Sequence, residues 1–151
     1  GRFDVLAIDA FSSDSIPVHL STREAIRTYM QHLAPGGILA VHVSNRFLDL
    51  KPVLANIAQA EGLVVRGIVD HPEEPASMTD WVLLAATPAA FESELLDVAE
   101  PIAPVARAST RAAAASIAPV PAFSLWTDQF NNLLDVLKSR PLEELRSMLK
   151  D

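Results

Sequence analysis

Asp9 and Asp14 are the residues whose type and spacing offer chemistry in this chain. A carboxylate can take a proton from an amine, and a second one nearby can hold a positive charge. Asp9 closes the apolar run Val5, Leu6, Ala7 and Ile8. That run is short and aliphatic, the pattern of a buried parallel strand covered on both faces. In open α/β sheets, ligands collect outside the carboxyl ends of the strands, so Asp9 is expected at a crevice mouth. Ser12, Ser13 and Asp14 follow in a polar loop. The plainer alternative is that Asp9 only caps the loop and Asp14 is solvated, and spacing alone leaves both open. Ser12 and Ser13 suit turn formation, because no His stands at a recognisable triad position near them.

The elements that must position these residues follow in order. Ser21-Thr22-Arg23-Glu24 has the form of a capping box, and a helix is expected from there to about residue 33. Ala25, Ile26, Tyr29, Met30 and Leu33 make its buried stripe, and Pro35-Gly36-Gly37 is expected to stop it. Residues 38–44 read as a second strand, which a right-handed crossover places parallel to the first. Ser44, Asn45 and Arg46 then share the carboxyl edge with Asp9. His42 falls inside that strand and is expected to be a packed, hydrogen-bonded histidine.

Asp49 is the expected cap of a second helix, with Leu50, Val53, Leu54, Ile57 and Ala58 toward the sheet and Gly62 at its end. Residues 63–69 and 81–86 read as two more strands, joined closely enough to pair antiparallel. The loop between them carries Glu73 and Glu74, expected to be a solvated surface. Thr87-Pro88 opens an expected third helix with Phe91, Leu95 and Leu96 on one side. A Pro/Ala-rich arm spans 100–122. A helix bearing Phe130, Leu133, Leu134 and Leu137 is then expected, and Pro141 opens a last amphipathic one. The expected division is 1–99 for the α/β part, 100–122 for the arm and 123–151 for a helical segment.

The run DAFSSDSIPVHLSTREA, followed by LAPGGILAVHVSNR, resembles the spermidine synthase (polyamine aminopropyltransferase) family, with a weaker echo at WTDQFNNLL. The resemblance spans about Phe3 to Thr87. It implies an α/β, Rossmann-like fold of S-adenosylmethionine-dependent methyltransferases, here the second half of the sheet with its flanking helices. It implies Asp9 as the catalytic base and Asp14, Ser12, Ser13, Asn45 and Asp128 as substrate contacts. The loop between Asp9 and Asp14 is slightly longer than the family's usual form. The co-substrate implied is decarboxylated S-adenosylmethionine, with no tightly bound cofactor, and the acceptor is a polyamine such as putrescine. Two alternatives are a methyltransferase-like relative using S-adenosylmethionine and a non-catalytic domain that forms a homodimer through an open sheet edge. The fold normally begins about three βα units earlier, and Gly36-Gly37 follows a helix instead of a strand. The chain therefore reads as the carboxyl-terminal half of a larger enzyme, with most of the donor site expected from the other half, or as a divergent stand-alone protein.

Composition narrows the classes further. The chain has 151 residues, half of them hydrophobic, which is enough for one real core. A net charge of −7 argues against a nucleic-acid partner and suits a cationic small molecule. With no cysteine, disulfides and thiol catalysis are excluded. His19, His42 and His71 stand apart, which argues against a zinc site. No apolar run is long enough to span a bilayer and no signal peptide is visible, so a cytoplasmic location is expected.

Overall fold

Two apolar tetrads build the first strand pair: Val5, Leu6, Ala7, Ile8 lie beside Ile38, Leu39, Ala40, Val41, partner to partner and parallel. The computed structural model describes residues 1–10, 18–45, 48–70, 79–104 and 125–136. Within them lies a mixed α/β fold. It has a five-stranded sheet, β1 (Phe3–Ile8), β2 (Leu33–His42), β3 (Val64–Asp70), β4 (Thr79–Ala85) and β5 (Glu100–Pro101), with α1 (Arg23–Gln31) and α2 (Lys51–Glu61). The strand order is β1-β2-β4-β3-β5. Among the hydrogen-bonded pairs, β1–β2 is parallel and the β2–β4, β3–β4 and β3–β5 pairs are antiparallel. The parallel β1–β2 pair and the antiparallel β3–β4 pair match expectation, whereas the insertion of β4 between β2 and β3 was not anticipated.

One sheet face packs on the helices. Leu39, Val41, Val82 and Leu84 meet Ile26, Leu50, Val53, Leu54, Ile57 and Ala58 in the main core. All five expected core positions of α2 are buried there. The opposite face is smaller: Leu83 and Ala85 pack with Phe91 and Ala99, flanked by Ile38 and Ala40. That cover does not reach β1. Phe3 and Val5 are 53% and 62% exposed, and Leu6 and Ile8 alone turn toward the core. Among the described residues, the strand expected to be buried on both faces is instead an edge strand with one open face. Its continuous apolar run cannot distinguish the two cases, because period-2 side chains reach both faces whether or not both are covered.

Helix α1 starts one residue later than expected. A 3-10 turn over Val18–Ser21 absorbs Ser21, and the Thr22 hydroxyl accepts the Ala25 N–H at 3.3 Å as the cap. Glu24 does not close a box on Ser21; its carboxylate accepts the Asp128 N–H at 3.0 Å. The helix also stops before Pro35. Phe3 N–H binds His32 C=O at 2.9 Å, which draws the chain into β2 at Leu33. Ala34, Pro35, Gly36 and Gly37 then stand opposite Asp4 alone, so the Pro-Gly-Gly stretch is a bulge within β2 and not a helix stop. Gly36 has φ of +80°, and a Cβ on Gly37 would lie 2.9 Å from Phe3 O and 3.1 Å from Asp4 O. Both are backbone atoms that cannot swing away. Gly37→Ala is therefore expected to destabilise the fold by about 1–3 kcal/mol, read as a lower urea midpoint at constant slope.

Helix α2 keeps its expected end: Gly62 is left-handed at φ 66°. Its N-cap is Leu50; Asp49 Oδ1 accepts the Lys51 N–H at 3.2 Å just ahead of the helix. The expected third helix is instead a pair of 3-10 turns, Pro88–Phe91 and Glu94–Leu96. At three residues per turn, a four-residue spacing leaves the shared face. Phe91 is buried under the Arg66 guanidinium, while Leu95 is 86% exposed.

Residues 125–136 fold back onto the helix starts. Trp126 is 1% exposed within the main core. Its carbonyl accepts Arg23 N–H at 2.9 Å, and Val136 C=O accepts Asp49 N–H at 2.8 Å. Among the described residues, the expected helix here is a 3-10 turn over Leu133–Val136, after a Thr127–Phe130 bridge, with Phe130 and Leu133 exposed. Leu137, the helix opened by Pro141, most of the 100–122 arm and the Glu73-Glu74 loop lie outside the described residues. No helix among the described residues is long and apolar enough to cross a membrane.

Candidate functional site

The β1–β2 register continues past both tetrads and sets Asp9 beside His42. Asp9 Oδ1 lies 2.9 Å from His42 Nδ1. His42 Nε2 lies 2.7 Å from Ser44 Oγ, and Ser44 Oγ accepts the Asp80 N–H at 2.7 Å. His42 is also register partner to Trp81 on β4, with ring centroids 4.9 Å apart and planes tilted by 35°. The imidazole is thus held at both nitrogens and against one ring face. Asp80 Oδ2 meets Lys51 Nζ at 2.9 Å, at the start of α2, while Asp80 Oδ1 is buried without a hydrogen-bond partner. The result is a continuous polar chain along the carboxyl edge of β1 and β2: Asp9, His42, Ser44, Asp80, Lys51.

Two of the other expected site residues lie among the described residues, and the hydrogen bonds described for them run to groups other than Asp9 and His42. Asn45 follows Ser44, and its Oδ1 accepts the Leu48 N–H at 2.8 Å. Asp128 sits at the start of α1, where its Oδ1 accepts the Thr22 hydroxyl at 2.6 Å. Ser12, Ser13 and Asp14 lie outside the described residues, as does Arg46.

Asp9 is the accessible end of the chain. Its side chain is 60% exposed, against 18% for His42. The Oδ1 atom is committed to the imidazole, which leaves Oδ2 able to meet an incoming cation. A carboxylate fixed in this way can accept one proton in a defined direction. Ser44 has the order of partners found in hydrolytic triads, but its oxygen already accepts the Asp80 N–H, so here it anchors the ring. Among the described residues, no three His, Asp or Glu side chains converge as a metal site.

His42 is packed on Trp81 and hydrogen-bonded at both nitrogens, as expected, but sequence reasoning missed that one of its partners is Asp9. The signal was present: each tetrad, VLAI and ILAV, is followed by an ionisable residue. In-register pairing of the tetrads brings Asp9 and His42 together.

A second feature lies at the other end of the helices. A cavity of about 310 Å³ is lined by Ile26, Arg27, Met30, Gln31, Glu61 and Leu63. It contains none of the expected site residues. Glu61 bridges two guanidinium groups: Arg27 Nε lies 2.7 Å from its Oε2, and Arg23 Nε pairs with its Oε1. The hydrogen bond from Arg27, with help from Arg23, holds the Glu61 carboxyl below its ordinary value of 4.5. A lowered folded-state value means that the pair's contribution to stability is complete above about pH 4.5 and is lost as pH falls through the lower folded value. Glu61→Gln is expected to flatten the acid limb of the stability curve, measured by urea denaturation between pH 3 and 6. An unchanged limb would show that the bridge contributes nothing to folding.

No protein-family model matches the chain. No curated protein matches it either.

Proposed function

We propose that this chain supplies the amine-binding, proton-accepting side of a polyamine aminopropyltransferase. The observation that carries the proposal is Asp9 at the carboxyl end of an edge strand, held through Oδ1 by His42 while its side chain is 60% exposed. The strand arrangement supports the finer fold reading. Strands β1, β2 and β3 run one way, and β4 reverses between β2 and β3. This is compatible with the second half of a Rossmann-like methyltransferase sheet that ends in a hairpin. The overall charge of −7 favours a cationic acceptor.

The chemistry follows from the carboxylate. A diamine is protonated near neutral pH, like a lysine side chain, and must lose a proton to become a nucleophile. Asp9 holds the ammonium and takes its proton, and the lone pair so freed on nitrogen attacks the carbon next to the sulfonium. A C–N bond forms, the C–S bond breaks with its electron pair going to sulfur, and methylthioadenosine leaves. Fixing the carboxylate converts this into a positioned displacement. Asp14, Ser12, Ser13, Asn45 and Asp128 are proposed contacts for the rest of the diamine, whose far ammonium needs a second acid.

Calorimetry with putrescine and with methylthioadenosine, together with mass spectrometry for spermidine formed from decarboxylated S-adenosylmethionine, tests the proposal. Putrescine binding by this chain is expected, with methylthioadenosine binding and product formation once it is joined to the donor-binding half. Turnover of S-adenosylmethionine with methyl transfer instead would move the assignment to a methyltransferase-like enzyme.

The open β1 edge, with Phe3 and Val5 exposed, favours one further reading, a homodimerising domain without catalysis. A folded chain that sediments as a dimer and binds neither ligand would establish it.

A further inference from the structure

We infer that His42 is a positioning residue for Asp9, a role that rests on the transferase reading above and is fixed by one tautomer of its ring. An ionised carboxylate only accepts hydrogen bonds, so a neutral His42 must carry its hydrogen on Nδ1 to meet Asp9 Oδ1 at 2.9 Å. Nε2 is then an acceptor, and the partner 2.7 Å away is Ser44 Oγ. That hydroxyl can donate to Nε2 because its lone pair already receives the Asp80 N–H at 2.7 Å. The Asp80 peptide at the start of β4 therefore sets the Ser44 hydroxyl, the hydroxyl sets the tautomer, and the tautomer sets the carboxylate. Trp81 restrains the ring plane, and the Lys51–Asp80 pair anchors the start of β4.

The contact does two things for the transfer. It selects Oδ1 as the held oxygen, so the proton from the amine is received by Oδ2. It also stops an exposed side chain from sampling rotamers that miss the amine, since Asp9 is 60% exposed and has little packing of its own. Asp9, Lys51 and Asp80 are the ionisable groups linked to the ring by described contacts.

The two amide substitutions separate this role from bulk. Asn places its Nδ2 donor where Nδ1 stands, whereas Gln places its donor nearer the position of Nε2. His42→Gln is expected to lower kcat by about tenfold to a hundredfold with little change in KM for putrescine, and His42→Asn to recover most of that loss. Nitrogen-15 spectra of the full chain at neutral pH are expected to show His42 as the Nδ1–H tautomer, with that signal moved by Asp9→Ala. An Nε2–H tautomer, an Nδ1–H signal untouched by Asp9→Ala, or equal kinetics in the two amide variants would overturn the role. Absence of putrescine binding to the unsubstituted chain would bring down the transferase reading. The spectra would still decide whether His42 holds Asp9, also where an amide variant fails to fold.

Discussion

Asp9→Asn is expected to lower aminopropyl transfer by about a hundredfold to ten-thousandfold, the usual range for loss of a positioned general base. The change is nearly isosteric, and the amide oxygen can still accept the His42 Nδ1–H. The side chain is 60% exposed, so stability is expected to stay within about 0.5 kcal/mol of the parent. What is lost is the capacity to take a proton and to balance an ammonium. The measurement is turnover with putrescine and decarboxylated S-adenosylmethionine, beside circular dichroism to verify the fold. Turnover equal to the parent's would remove Asp9 as the base, and the transferase proposal would lose the observation that carries it.

Trp126→Ala is expected to cost about 3–5 kcal/mol of folding free energy, a large part of the roughly 5–15 kcal/mol that holds a typical domain. Trp126 is 1% exposed and belongs to the main core with residues of β2, β4, α1 and α2. Its removal leaves a large cavity beneath the segment that joins the two helix starts. That segment also brings Asp128 to the Thr22 hydroxyl and gives Arg23 N–H its carbonyl partner. Truncation is therefore expected to loosen the start of α1 as well as lower stability. Urea denaturation reads the loss of stability, and amide hydrogen exchange at Arg23 reads the loosening of α1. A loss below about 1 kcal/mol would show that residues 125–136 lie on the core without holding it.

Local signals were legible where the deciding interactions are short in range. The five buried positions of α2 follow from helical spacing, and Gly62 ends the helix because a left-handed residue is cheapest there as glycine. The stretch between the end of β3 at Asp70 and the start of β4 at Thr79 is shorter than the about a dozen residues that a parallel crossover needs, which leaves an antiparallel pair. The Pro-Gly-Gly stretch was misread because it punctuates both helices and strands. The choice was made by Phe3, which captures His32 C=O from across the sheet and ends α1 early. Phe91 and Leu95 were assigned one face on an assumed α-helical period. The chain took 3-10 turns instead, and the two residues parted.

The sequence by itself determined the elements around the site, the carboxylate at the end of the first strand and the acidic balance that suits a cationic ligand. Tertiary structure alone decided that β1 is an open edge, that β4 inserts between β2 and β3, and that Asp9 is held by His42. The physical reason is separation along the chain. Helix caps and strand runs depend on residues a few positions apart, whereas Asp9 and His42 are 33 residues apart and meet only through the register of two paired strands.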